Sequence, residues 1–286
     1  MSIESKIPKG EVNIKDLSIE SQGDPTDVEF DVNKEVSEKD WENLKSALSE
    51  RINSGTEPYA IAFFAANMKL LYPERMSDFR FGDIFLNRLQ DFIKKARTED
   101  NYHGISNATY WMKILYPKQP TQSILDKTTR GLLLEEMAIQ RDNHRVQFAM
   151  MAANLKILDK DLVKSLNLNN TDYENMVDAY HQFKKADAIY NGIPVMAHAK
   201  ILFPELVAKE SVLKKDWKAI LSSLRDDKHR AYTENDLWGN YLGTAVDLKM
   251  LAANEIRTTD EGVIFDMPEI SNRARTESKL PQTKKF

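Results

Sequence analysis

Apolar residues recur at helical spacing along most of this chain, and one short block closes successive stretches of that pattern. Ile61, Phe64, Ala65, Met68 and Tyr72 share one face at about 100° per residue, with Lys69 at its edge. The block Ala65-Ala66-Asn67-Met68-Lys69-Leu70-Leu71-Tyr72-Pro73-Glu74 returns at Tyr110–Lys118, at Ala152–Lys160, at Ala197–Glu205 and, more loosely, at Ala245–Ala252. Lys69, Lys113, Lys156, Lys200 and Lys249 hold the register, at spacings of 44, 43, 44 and 49 residues. A second segment precedes the block. Asp40-Trp41 with Leu44 and Leu48 returns as Asp216-Trp217 with Ile220 and Leu224, and Phe85, Leu89 and Phe92 repeat the stripe. Each unit therefore reads as helix, short connection, helix, stop.

Local signals place the elements. Ser37, three residues before Asp40, opens a helix that Gly55 stops. Thr56 and Pro58 open the next, and Pro73 closes it. Helices follow over Gly82 to Arg97 and Asn101 to Tyr116, with Pro117 and Pro120 as breakers. Others run from Thr121 to Arg141 and from His144 to Leu158, with a short turn through Leu166. Asn167 to Asn170 reads as a loop, with a capping box at Thr171 and Glu174 for a helix to Tyr190. Asn191-Gly192 reads as a turn, and Pro194 as the start of the next helix. The last pair covers Lys214 to Arg225 and Asn235 to Ile256, joined by a polar connector, with Val263 to Phe265 as a brief extended patch.

Two helices per unit at this period resemble the HEAT and armadillo architecture over residues 38–258. The resemblance implies an all-α fold, a right-handed α-solenoid of about five antiparallel helix pairs. It carries no functional residues across. Residues 1–36 are acidic and unpatterned and predict disorder, residues 37–258 form the repeat region, and residues 259–286 predict an extended or disordered basic tail.

Charge and composition narrow the class. The net charge of −4 divides into −5 over residues 1–37, +4 over 270–286 and −3 between them. A near-neutral body argues against a general nucleic-acid binder. The chain has no cysteine, so disulfides and thiolate metal sites are excluded. The first ten residues show no signal peptide and no run reaches the roughly 20 apolar residues of a membrane span, so the expected location is cytoplasmic, without a membrane partner.

No catalytic, cofactor or metal signature stands out. The five histidines lack zinc-motif spacing, and no phosphate-cradling glycine loop is present. The candidate partner-binding residues are Lys69, Lys113, Lys156, Lys200 and Lys249, which in an open array stack into a cationic stripe. The structural alternative is that each stem covers apolar surface while the head is paired nearby. Trp111 stands where the other copies carry Asn67, Asn154, His198 and Asp247, which makes it either a surface binding residue or a packing anchor. The leading expectation is a non-enzymatic scaffold whose elongated helical surface binds a protein partner, either an acidic segment or another folded protein. The alternatives are a nucleic-acid binder using the lysines with Arg273, Arg275, Lys284 and Lys285, and an enzyme whose site is assembled from scattered residues.

Overall fold

Ser37 begins the first helix as expected. Its hydroxyl accepts from the Asp40 backbone N–H at 3.2 Å, and Asp40 accepts from the Ser37 N–H at 2.6 Å. The computed structural model describes residues 37–76, 79, 81–120, 125–207, 212–234, 237–259 and 262–266. The expected disordered head lies outside the described residues, as does the tail beyond residue 266.

The described residues form thirteen helices and one hairpin. Five long helices alternate with five others. The outer set is α1 (Glu38–Asn53), α4 (Asp83–Thr98), α6 (Lys127–Asn143), α9 (Asn170–Lys185) and α12 (Val212–Ala231). The inner set is α2 (Pro58–Leu71), α5 (Tyr102–Leu115), α7 (Arg145–Leu158), α10 (Ile189–Leu202) and α13 (Trp238–Ala252). Short turns α3 (Pro73–Met76), α8 (Lys160–Lys164) and α11 (Pro204–Val207) follow three of the inner helices. Strands β1 (Glu255–Thr259) and β2 (Gly262–Asp266) pair antiparallel, Glu255 opposite Asp266, so the expected extended patch is one strand of a hairpin.

Several boundaries differ from the sequence reading, each for a local reason. Asn169, with Asp172, makes the capping box of α9, so Asn170 is already helical. Asn191 and Gly192 lie inside α10, and the chain turns instead at Asp187, whose φ of 57° is left-handed. Gly192 is required by packing: a Cβ there meets the Tyr180 ring at 2.8 Å. Pro194 sits within α10, and the expected connector after Arg225 is helical through Ala231.

The expected open solenoid is not the arrangement found. Inner helices pack in the order α2, α5, α7, α10, α13, and α13 then packs against α2. The first and last units touch, so the array closes into a ring. Outer helices α4, α6, α9 and α12 each lie against two successive inner helices.

Three of the repeated lysines bridge neighbouring inner helices. Lys156 on α7 donates to the Ile201 and Leu202 carbonyls of α10 at 2.8 and 3.1 Å. Lys200 on α10 donates to Leu251, at 2.6 Å, and to Ala253, at the end of α13. Lys249 on α13 donates to Leu70 and Leu71 of α2 at 2.7 and 3.3 Å, which ties the last inner helix to the first. The last carbonyls of a helix lack intrahelical partners and carry the negative end of its dipole, so an ammonium is well matched to them. Lys113 turns to the Pro117 carbonyl of its own loop at 2.8 Å. Lys69 holds the equivalent place on α2, where burial pushes its pKa below the usual lysine range.

A second relay runs round the outside. Arg97 pairs with Asp126 at 3.1 Å, Arg141 with Asp172 at 2.5 Å, Lys184 with Asp216 at 2.5 Å and Lys228 with Asp40 at 2.8 Å. Each joint runs from late in one outer helix to an acid near the start of the next, and the last returns to α1. The four cations follow the lysine period, at spacings of 44, 43 and 44 residues. Burial sets their value. Asp40 is fully buried, whereas Asp126 is half exposed. Burial alone raises the Asp40 pKa, but the bonds from Lys228, Tyr232 and Ser37 outweigh it and hold the carboxyl below its ordinary value.

Two variants at equivalent joints separate these cases. Lys228→Met leaves a buried carboxylate without its cation and is expected to cost on the order of 3–5 kcal/mol. Arg97→Met removes an exposed pair and is expected to cost about 1 kcal/mol or less. Urea unfolding of both checks the difference, and equal losses contradict the assignment.

Candidate functional site

Closing five helices into a ring dictates what its centre holds. At the usual interaxial spacing of 8–10 Å, five helices place each axis roughly 8 Å from the centre. A helix with its side chains has a radius of about 5–6 Å, so only a narrow shaft is left. Five rows of side chains fill it, one from each repeat, and their identity decides whether it is sealed or open.

The lower end is sealed. The residues just after each lysine are Leu70, Ile114, Ile157, Ile201 and Met250, and all are buried. The hairpin leaves α13 at this end, packs β2 against α5, and sets Phe265 beneath the Lys249 ammonium at 5.6 Å.

One turn higher the layer is polar. Two residues before each lysine stand Asn67, Trp111, Asn154, His198 and Asp247. Asn67, Trp111, Asn154 and His198 are buried, at 5, 7, 2 and 7% exposure. The Trp111 ring packs edge-on against Tyr59 at 4.7 Å and Phe63 at 5.4 Å, so it has the packing role and not a surface one. Asn154 donates to Asn107 Oδ1 at 2.7 Å, and Asn107 donates to Tyr59 Oη at 3.2 Å and His103 Nε2 at 3.0 Å. Side chains from α2, α5 and α7 thus form one network.

His198 and Asp247 complete the layer from α10 and α13. A carbonyl can only accept, so His198 Nδ1 donates to Pro194 O, and Nε2 keeps a lone pair. Burial pushes the His198 pKa down to about 4, the Pro194 bond opposes this, and His103 across the ring adds to it. The ring is therefore neutral at pH 7. Burial pushes the Asp247 carboxyl up to about 8, with no bonded partner to offset it. Its influence reaches Tyr110, whose pKa is raised by burial and by the Asp247 charge. Asn67 Nδ2, His103 Nδ1 and Tyr110 Oη are buried and make no hydrogen bond among the described residues. Leaving such groups unpaired costs about 1–3 kcal/mol each.

At the other end an aromatic ring packs over glycine. Directly above Asp247 on α13 lie Gly243 and Gly239, at four-residue spacing. Phe63 crosses from α2 and lies 3.4 Å from the position of a Gly243 Cβ. Asp247 itself stays partly accessible. Tyr190, at the rim, is 52% exposed.

The lysines stand apart from this chamber. Lys156, Lys200 and Lys249 point their ammonium groups at carbonyls at the sealed end, and burial lowers the pKa of each. Among the described residues no group of three or more His, Asp or Glu is placed to hold a metal ion, and no helix is long and apolar enough to cross a membrane. The polar layer was readable as an alignment of unlike residues at one repeat position, but only ring closure turns those residues toward each other. Comparison with protein-family models, curated proteins and solved structures gives no match.

The carboxyl makes a pH prediction. A raised folded pKa means that Asp247 contributes stability below its unfolded value near 3.8, and that this is lost as pH rises to about 8. His198, with a depressed pKa, acts oppositely between about 4 and 6.5, so above pH 6.5 Asp247 is the one of the pair still titrating. Wild type is expected to lose melting temperature relative to Asp247→Asn between pH 6.5 and 8. Parallel curves over that interval contradict the assignment.

Proposed function

We propose that the protein is a binding protein for a small polar molecule, which enters the helical ring at the N-terminal ends of the inner helices and sits on the layer of Asn67, Asn154, His198 and Asp247. One observation carries the reading. Buried polar groups of the inner helices are left without partners among the described residues, beneath two glycines over which the Phe63 ring packs. A core made only for stability favours apolar residues at such positions. Binding sites, by contrast, are concave, with aromatic walls and a few convergent polar groups. Tyr59, Phe63 and Trp111 supply such walls.

Protein scaffolding through the outer surface is a second reading. Its support is a cleft of about 590 Å³ beside the exposed Ile52 and Ile84, with Phe81, Phe85 and Arg88 on its walls. The lysines favour it less, since three of them are bonded to carbonyls within the ring. The same bonds weigh against a phosphate-gripping face.

The primary reading is tested by filling the shaft. Wild type and Gly243→Phe, matched for helicity and melting, are equilibrated with a small-molecule extract, washed, denatured and examined by mass spectrometry. The expected result is a compound retained by wild type at least about tenfold over the variant. Equal retention, or none, overturns the reading.

A further inference from the structure

Resting on the central binding site, we propose that its ligand is a small organic cation, with an amino or guanidino head held by Asp247 and the aromatic wall of Tyr59, Phe63 and Trp111. Asp247 supplies the acid, which burial keeps protonated near pH 7 and which ionises when a cation is held against it. It belongs to the polar layer, stands below Gly239 and Gly243, and has no hydrogen bond or ion pair among the described residues. A buried carboxyl of this kind elsewhere in the protein is bonded. Asp40 has Lys228, and Asp172 has Arg141. Nor can the neighbouring lysines serve Asp247. Lys200 and Lys249, on the two helices that carry His198 and Asp247, reach down to carbonyls at the sealed end.

The remaining groups suit the same head group. His198 Nε2 offers a lone pair, because Nδ1 is committed to Pro194 O. An ammonium has three N–H donors and a guanidinium five, so carboxylate and imidazole can both accept from one cation. Aromatic faces attract a cation more strongly where water is excluded. Tyr59 and Phe63 meet Trp111 edge-on, and Phe63 lies over Gly243, one turn from Asp247. An anion meets the opposite situation. Its charge faces a carboxyl and a neutral imidazole, and among the described residues no cation is paired with either.

Asp247→Asn is the natural variant, because Asn67 and Asn154 already occupy the same repeat position. Butylammonium and agmatine serve as cationic probes, with butanol and butyrate as neutral and anionic controls of similar size. Binding is followed by calorimetry and by the shift in melting temperature. The expected result is binding of both cations, weakened about tenfold or more by Asp247→Asn, with little response to the controls. Should the variant fail to fold, the preference of wild type for butylammonium over butyrate and butanol carries the test. Cation binding that is unchanged by Asp247→Asn overturns the proposal, and so does equal binding of the controls. In that second case the central site itself still stands. Binding of no probe at all, together with no compound retained from the extract, overturns both.

Discussion

An ammonium group laid against the unpaired carbonyls of the next helix is the contact on which this architecture turns. A helix ends with carbonyls that have no internal partner and a partial negative charge. Lys156, Lys200 and Lys249 each answer that need on a neighbouring inner helix. Because every inner helix runs the same way, the contact can be repeated around a circle. The Lys249 bond to Leu70 and Leu71 makes the joint between the last inner helix and the first. Removing one such lysine leaves two carbonyls and a dipole end unanswered, and it does so at a joint that the rest of the ring needs.

The outer relay follows the same logic with ordinary ion pairs. Each cation stands late in one outer helix and each acid near the start of the next, so both charges also match the dipoles of their own helices. A single period of about 44 residues therefore carries two circuits, one of carbonyl bonds and one of carboxylates. These circuits are nearly symmetric. The centre is not. One register position holds two asparagines, a tryptophan, a histidine and an aspartate. Regularity serves the frame, and its departures give the centre its chemistry.

The helices and their caps could be read from local patterns, because a capping box at Ser37 or a left-handed Gly55 depends only on near neighbours. The repeat was equally plain. Closure was not, since a helix-pair repeat fits an open array and a ring alike until the curvature per unit is known. The lysines illustrate the difference. Their spacing showed a shared structural place, yet their carbonyl partners lie in the next unit, and for Lys249 at the far end of the chain. Gly192 misled because a glycine needed for close packing against Tyr180 looks like a glycine needed for a turn. The pairing of Arg97, Arg141, Lys184 and Lys228 carried a periodic signal, but it is hidden among the many other charges of the exposed faces.

Ring closure can be measured directly, because the chain has no cysteine and two introduced ones label without background. Spin labels at Glu74→Cys, just past α2, and Glu255→Cys, just past α13, report the separation of the first and last units by pulsed electron resonance. A closed ring predicts one narrow distribution, set by a helix spacing of about 10 Å plus the label tethers. An open array of five units places the same sites roughly 40 Å apart before the tethers are added. A long or broad distribution contradicts the ring, and with it the central site.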